Sequence, residues 1–359
     1  MASPVGCEPA AGASPPFGRF RVHTWLFPFL SLTAAWLLLV RPGLGQQIDP
    51  LNQIQIESHP PAMSARAGAT PTLSTDASLP GAAHFSIDTN LVLIPLTVTD
   101  PMDRLVTGLE KQNFRVYENN HPQTIRSFSC DDAPVSIGII LDLSGSMDDK
   151  VIREKDAILQ FMKTSNPRDE YFLIGFNDRP VLLTDFTSSI SDVESQITNI
   201  QPGHRTALLD AIYMGLQKMK QAKYQRKVLL VVSDGGDNNS RYTANEVRNA
   251  VRESYVQIFG MGIFDATVAT IEEQNGPLLL NEIAKDSGGR LYRVENLSEM
   301  SDIASRISEA IRTEYVLGYK TNDLKMNGKW RKVRVKLLPP PGLPDLTVHA
   351  RSGYYAPLQ

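Results

Sequence analysis

The sequence predicts an α/β protein with a doubly wound, mostly parallel sheet. A small β-sandwich-like domain, built from flanking N- and C-terminal strands, accompanies it. Three observations point there. From Val135 onward, continuous apolar runs such as "VSIGIILDLS" and "KVLLVVSD" have the composition of strands buried on both faces. Segments with helical spacing separate them, and strands alternating with helices imply a parallel sheet covered on both faces. Before and after this region the pattern changes to short alternating stretches broken by turn residues, which are strand signals.

Taken in order, the chain opens with Arg19, Arg21 and His23 ahead of the apolar run Trp25 to Val40, followed by the small residues Gly43 and Gly45. A basic flank, an apolar core and a small-x-small site are the parts of a secretory signal. The run is shorter than the roughly 20 residues that a spanning helix needs, so residues 1–45 read as a cleaved signal, with a retained membrane anchor as the alternative. Export to the periplasm, the cell surface or the medium follows from either. Residues 46–83, rich in Pro, Ala, Ser and Thr, read as a flexible linker.

Residues 84–133 carry N-terminal β-strands: "FSIDTNLVLIPLTVTD", "NFRVYENN" and "QTIRSFSC". Residues 134–312 carry the alternating part. After "VSIGIILDLS" comes a helix with Val151, Ile158, Leu159 and Met162 on one face. Strand "YFLIGF", helices "SDVESQITNI" and "ALLDAIYMGLQKMK", and strand "KVLLVVSD" follow. Helix "ANEVRNAVRES", strand "VQIFGMGIF", helix "PLLLNEIAKDSGG", strand "RLYRV" and a helix bearing Met300, Ile303, Ile307 and Ile311 complete the series. Residues 313–359 return to strands, "YVLGYKT", "KWRKVRVKLL" and "LTVHARSGYYA", expected to complete the sheet begun near Phe85. The basic stretch Lys329 to Lys336 alternates like a half-exposed strand, with Arg331, Val333 and Val335 on one face.

Composition narrows the function. The 359 residues are 42% hydrophobic with a formal charge of −3, so no basic patch points to nucleic acid. Of two cysteines, Cys7 would leave with the signal and Cys130 would remain, expected as a buried thiol at the junction of the two parts, with no disulfide within the mature chain. A monomeric or weakly associating protein is expected.

Ligands of open α/β sheets sit beyond the carboxyl ends of the strands, and oxygen-bearing residues gather there. Asp142, Ser144 and Ser146 follow the first apolar strand, Thr206 precedes a helix in "GHRTALLD", and Asp234 follows "VLLVVS". Two carboxylates and three hydroxyls, with no thiol or imidazole among them, suit Mg2+, Ca2+ or Mn2+. Two carboxylates balance a divalent charge. Hydroxyls fill the shell without adding negative charge, which leaves the ion open to a partner's Asp or Glu. Each piece alone has an ordinary alternative: Asp148 or Asp149 as a helix cap, Asp234-Gly235 as a tight turn. Their order along the chain favours a metal site.

That order resembles the von Willebrand factor A domain and its metal ion-dependent adhesion site. "DLSGSM", "RTALLDAI" and "VVSDGGDN" match its three loops. The resemblance implies metal-ligand roles for Asp142, Ser144, Ser146, Thr206 and Asp234, and protein binding as the activity. Many members have Gly-Gly directly before the threonine. Here Gly203-His204-Arg205-Thr206 stands, so His204 and Arg205, with Asp237 in the third loop, are candidate partner-contacting residues. From Phe85 to the end, the chain also looks like bacterial exported proteins with a VWFA-related domain.

An exported adhesion-type module docking an acidic residue is therefore the expected function. A structural envelope protein stabilised by its metal is the alternative. An enzyme is not expected. Gly-x-Ser-x-Gly, His-Glu-x-x-His and Walker motifs are lacking, "GMGIFD" lies inside a strand pattern, and His204 is the one candidate general base for a metal-dependent hydrolase.

Overall fold

The strand signals before Val135 resolve into β1 (Leu91–Thr99), β2 (Phe114–Glu118), β3 (His121–Gln123) and β4 (Ile125–Ser129). The computed structural model describes residues 91–147, 150–198, 205–264, 270–340 and 342–358. The expected signal or anchor, the linker, Phe85 with its neighbours, and His204, Asp148 and Asp149 lie outside the described residues. No helix among the described residues is long and apolar enough to cross a membrane.

The alternating region then runs β5 (Ser136–Asp142), α1 (Val151–Thr164), β6 (Glu170–Phe176), β7 (Pro180–Thr187), α2 (Ile190–Thr198), α3 (Leu208–Lys218), β8 (Lys227–Ser233) and α4 (Ala244–Glu253). It continues with β9 (Val256–Ile263), α5 (Ile271–Ser287), β10 (Leu291–Val294) and α6 (Met300–Arg312). The tail supplies β11 (Tyr315–Lys320), β12 (Trp330–Leu337), β13 (Thr347–Ala350) and β14 (Gly353–Tyr355).

The central sheet has six strands in the order β10-β9-β8-β5-β6-β7. All its pairings are parallel except β6 with β7. Every residue of β5 is buried, as its unbroken apolar run requires. Successive side chains leave opposite faces of a strand. Ile137, Ile139 and Leu141 accordingly join a core with α1, α2 and α6 through Ile158, Val193 and Ile307. Ile140 faces the other way, into a core with α3, α4 and α5 through Ile212, Val251 and Ile283. The sheet is thus doubly wound, with one helical layer on each face.

The flanking strands form two four-stranded antiparallel sheets, β13-β1-β11-β4 and β14-β12-β2-β3. β1, from the first flank, pairs with β11, from the second: Leu91 stands opposite Lys320 and Leu96 opposite Tyr315. The two sheets share one core, in which Ile94, Leu96, Phe114, Val116, Leu317, Tyr319 and Val333 meet. On β1 the buried face is Val92, Ile94, Leu96 and Val98, while Leu91 and Leu93 remain exposed. On β12, Arg331 and Val333 are buried between exposed Lys332 and Arg334, as the alternation indicates.

Four details depart from the sequence reading. β7 is an antiparallel edge strand that the pattern did not show, because its residues are mostly half-buried and no apolar run marks it. α5 begins at Ile271, ahead of Pro277, so the proline sits inside the helix rather than opening it. The final stretch splits into β13 and β14, one in each small sheet, with buried Arg351 between them donating to the Gly353, Arg252 and Ser254 carbonyls. Cys130, expected to be buried, is exposed. It follows the last residue of β4, where the chain leaves its sheet on the way to β5.

Candidate metal centre

β5 is hydrogen-bonded to β6 on one side and β8 on the other, and the chain winds away from it in opposite directions. Strand order reverses there, which opens a crevice at the carboxyl ends of β5 and β8. Asp142 is the last residue of β5, and Asp234 directly follows β8. Winding alone therefore brings together two loops separated by about ninety residues of sequence.

The side chains connect across the crevice. Asp142 Oδ1 accepts the Ser144 N–H at 3.0 Å, and its Oδ2 accepts Ser233 Oγ–H at 2.5 Å. Ser144 Oγ and Ser146 Oγ are 3.1 Å apart, and Ser146 Oγ–H donates to Asp234 Oδ2 at 2.6 Å. The other Asp234 oxygen accepts the Gly236 N–H at 2.9 Å. Asp142, Ser144 and Asp234 are buried, whereas Ser146 is exposed, so the group opens to solvent at Ser146.

Thr206 belongs to the same end of the sheet. Its carbonyl accepts the Asn238 and Asn239 N–H groups at 3.0 and 3.1 Å, and its own N–H donates to Asn238 Oδ1 at 3.0 Å. The threonine loop and the aspartate loop are therefore laced backbone to backbone. Asp237 strengthens the lacing. Its Oδ1 accepts Ser240 Oγ–H at 2.5 Å and the Leu209 N–H in the first turn of α3 at 3.3 Å, a helix-capping role. Asp210 accepts the Arg241 and Tyr242 N–H groups in return. Arg205 is exposed, with its N–H on Asp178 Oδ1 and its guanidinium on Asn239 Oδ1. Of the three candidate partner-contacting residues, Arg205 presents its side chain outward, Asp237 directs its carboxylate to α3, and His204 is outside the described residues.

Charge sets the chemistry of the group. Burial, and then repulsion from Asp234, push the Asp142 carboxyl up to about 7. Two carboxylates held together with hydroxyls call for a divalent cation, and a hard-oxygen donor set suits Mg2+, Ca2+ or Mn2+. Among the described residues no three acidic, imidazole or thiol groups converge into a cage on their own, so the hydroxyls are needed to complete a shell. With that reliance the residues fit the ion. Asp142, Ser144, Ser146, Thr206 and Asp234 would hold it, and it would supply a positive centre open to an outside anion.

Two residues here escaped the sequence reading. Ser233 left no signal, being the last small residue of an apolar strand. Glu154 left one: it lies three residues after Val151 and four before Ile158, on the apolar stripe of α1, where a charge is out of place. A cavity of about 630 Å³, lined by Thr107, Cys130, Asp132, Glu309 and Arg312, lies at the opposite, amino-terminal end of the strands and shares no residue with the loops.

The aspartate loop rests on α5. Gly235 has φ +80°, a conformation that disfavours any side chain, and it packs against the backbone of Gly276. A Cβ at Gly276 would fall 2.5 Å from the Asp234 carbonyl oxygen and 2.8 Å from the Gly235 carbonyl carbon. Gly276→Ala is therefore expected to lift α5 from the loop and cost about 1–3 kcal/mol in urea unfolding. An unchanged midpoint would show that the contact is slack.

Residues 137–236, which contain all three loops, match the von Willebrand factor type A domain family. Over those residues the α/β part has the sequence pattern of a von Willebrand factor type A domain. Such domains commonly mediate metal-dependent protein binding and are typically non-catalytic. The chain is 23% identical over 276 residues to inter-alpha-trypsin inhibitor heavy chain H4 of Bos taurus, a match covering 70% of this chain and 28% of that protein's length. Among solved structures, a von Willebrand factor type A protein from Catenulispora acidiphila is similar over 73% of each chain, at 12% identity and TM-score 0.44. An aerotolerance-related membrane protein from Bacteroides fragilis is similar over 49% of this chain and 98% of that one, at 19% identity and TM-score 0.41.

Proposed function

We propose that this protein is an exported binding module. It holds Mg2+, Ca2+ or Mn2+ through Asp142, Ser144, Ser146, Thr206 and Asp234, and docks an exposed Asp or Glu of a partner protein on that ion. The observation that carries this reading is the unbroken chain of contacts Asp142–Ser144–Ser146–Asp234 across the sheet's switch point, open to solvent at Ser146. Two carboxylates neutralise the ion, and neutral hydroxyls leave it attractive to a further anion. The surroundings favour an acidic visitor. The exposed side chains of Arg205 and Arg241 stand beside the first turn of α3, and exposed Arg179 sits in the β6–β7 turn, where the Asn177 carbonyl binds the Ala207 N–H. The start of α3 adds its dipole. Export rests on the basic, apolar and small-residue segments of the first 45 residues.

The test is retention of cell-surface proteins on the immobilised chain in Mg2+, in chelator, and on a Thr206→Ala variant in Mg2+. The reading expects a set of proteins held by the wild type in Mg2+ and released in the other two conditions. Equal retention in all three would leave the ion a structural role and remove the docking function.

A further inference from the structure

Glu154 is a buried acid near the metal loops that the five-residue site does not use. It sits in the first turn of α1 and is fully buried, and neither carboxylate oxygen has a hydrogen-bond partner. An isolated buried carboxylate is costly, and such groups in native proteins are as a rule paired or beside a cation. The charges that act on it are those of Asp142, Lys150 and Asp234, so two of its three charged neighbours are proposed metal ligands. Burial and Asp142 hold its carboxyl well above the usual range, and Lys150 offsets this in part. The apolar core of α1, with Ala157, Ile158 and Phe161, offers it no polar partner. It does not converge with Asp142 and Asp234 tightly enough to make a three-acid cage.

We propose that Glu154 is a third acid of the metal centre, acting from the outer shell as an acceptor for the ion's hydration water and adding negative charge behind Asp142. This rests on the reading of Asp142 and its partners as a cation site. It explains why an acid occupies the apolar stripe of α1: the ion supplies the compensating charge that the protein's own groups supply only in part. Outer-shell acceptors of this kind orient a hydration shell and raise affinity without touching the metal.

The test is the dissociation constant for Mn2+, measured by calorimetry on the whole chain, together with the thermal midpoint in chelator. Wild type, Glu154→Gln and Glu154→Leu are compared. Glutamine keeps the shape and removes the charge; leucine removes every polar atom. Both variants are expected to bind Mn2+ about tenfold more weakly, and Glu154→Leu to melt no lower than wild type in chelator. Wild-type binding with unchanged constants in both variants overturns the proposal and leaves the five-residue site intact. Lower midpoints in chelator with unchanged constants assign Glu154 to packing and also overturn it. If wild type takes up no Mn2+, the parent reading fails and this proposal falls with it.

Discussion

Asp142→Asn is expected to make the metal-free protein more stable above pH 7 while removing its response to divalent ions. The folded chain holds the Asp142 carboxyl at about 7, against 3.8 for the free side chain, because burial and Asp234 both disfavour the anion. The native state therefore binds more protons than the unfolded state between about pH 4 and pH 7. Stability from this group is lost as pH rises through that window. Asparagine stays neutral throughout, and it can keep both neighbours, since its Oδ1 can accept the Ser144 N–H and its amide can donate to Ser233. At pH 8 in chelator the variant should exceed wild type by up to about 4 kcal/mol, and near pH 4 the two should converge. Asp169, pushed up to about 6 by burial, and His349, pushed down to about 4 by burial, titrate in both proteins and cancel in the difference. Mg2+ should close the gap at pH 8 by stabilising wild type alone. Urea unfolding at several pH values checks this, and parallel curves for the two proteins would contradict it.

The second large effect lies in the β-sandwich. Glu118 ends β2 in the shared core and accepts three side-chain hydrogen bonds. Its Oε2 accepts Tyr319 Oη–H at 2.6 Å and Tyr354 Oη–H at 2.8 Å, and its Oε1 accepts Thr321 Oγ–H at 2.8 Å. The buried Arg331 guanidinium stands 3.8 Å away, and among the described residues its other acidic neighbour is the half-exposed Asp323. Glu118→Ala would strand two buried phenols and leave Arg331 without its buried counter-charge. Breaking a buried pair on one side costs about 3–5 kcal/mol, and that loss is expected in urea unfolding. Glu118→Gln, which keeps an acceptor and the volume, should lose less. A loss below about 1 kcal/mol for the alanine variant would mean that the network is dispensable.

These two sites differ in how far the sequence discloses them. Asp142, Ser144 and Ser146 stand out because hydrophilic groups at alternate positions interrupt an apolar strand, and a strand's carboxyl end is where ligands collect. Thr206 and Asp234 add weight through their order along the chain. The strand and helix alternation gives the parallel sheet, and period-two segments at both ends give the flanking sheets. Glu118 gave no such signal. Its partners come from three other stretches: the pairing of β12 with β2 and β14 brings in Arg331 and Tyr354, and Tyr319 and Thr321 reach it from the other small sheet, at the end of β11. Glu154 was legible as a misplaced charge, but a stripe traced through apolar residues alone passes over it. The first turns of α5 leave no sequence signal because "IEEQNG" offers no apolar period before Pro277. β7 leaves little trace because an edge strand buries too little to show a run. The role of Asp237 as a cap on α3 depends on a loop-to-loop distance that sequence spacing does not encode.

Five oxygen-bearing residues, from the loops after β5 and β8 and the loop before α3, are proposed to hold one divalent cation. Calorimetric titration of the chain with Mg2+, Ca2+ and Mn2+, beside an Asp142→Ala variant, tests this. One ion is expected to bind per wild-type chain and none to the variant. Equal uptake by both proteins, or none by either, would contradict it.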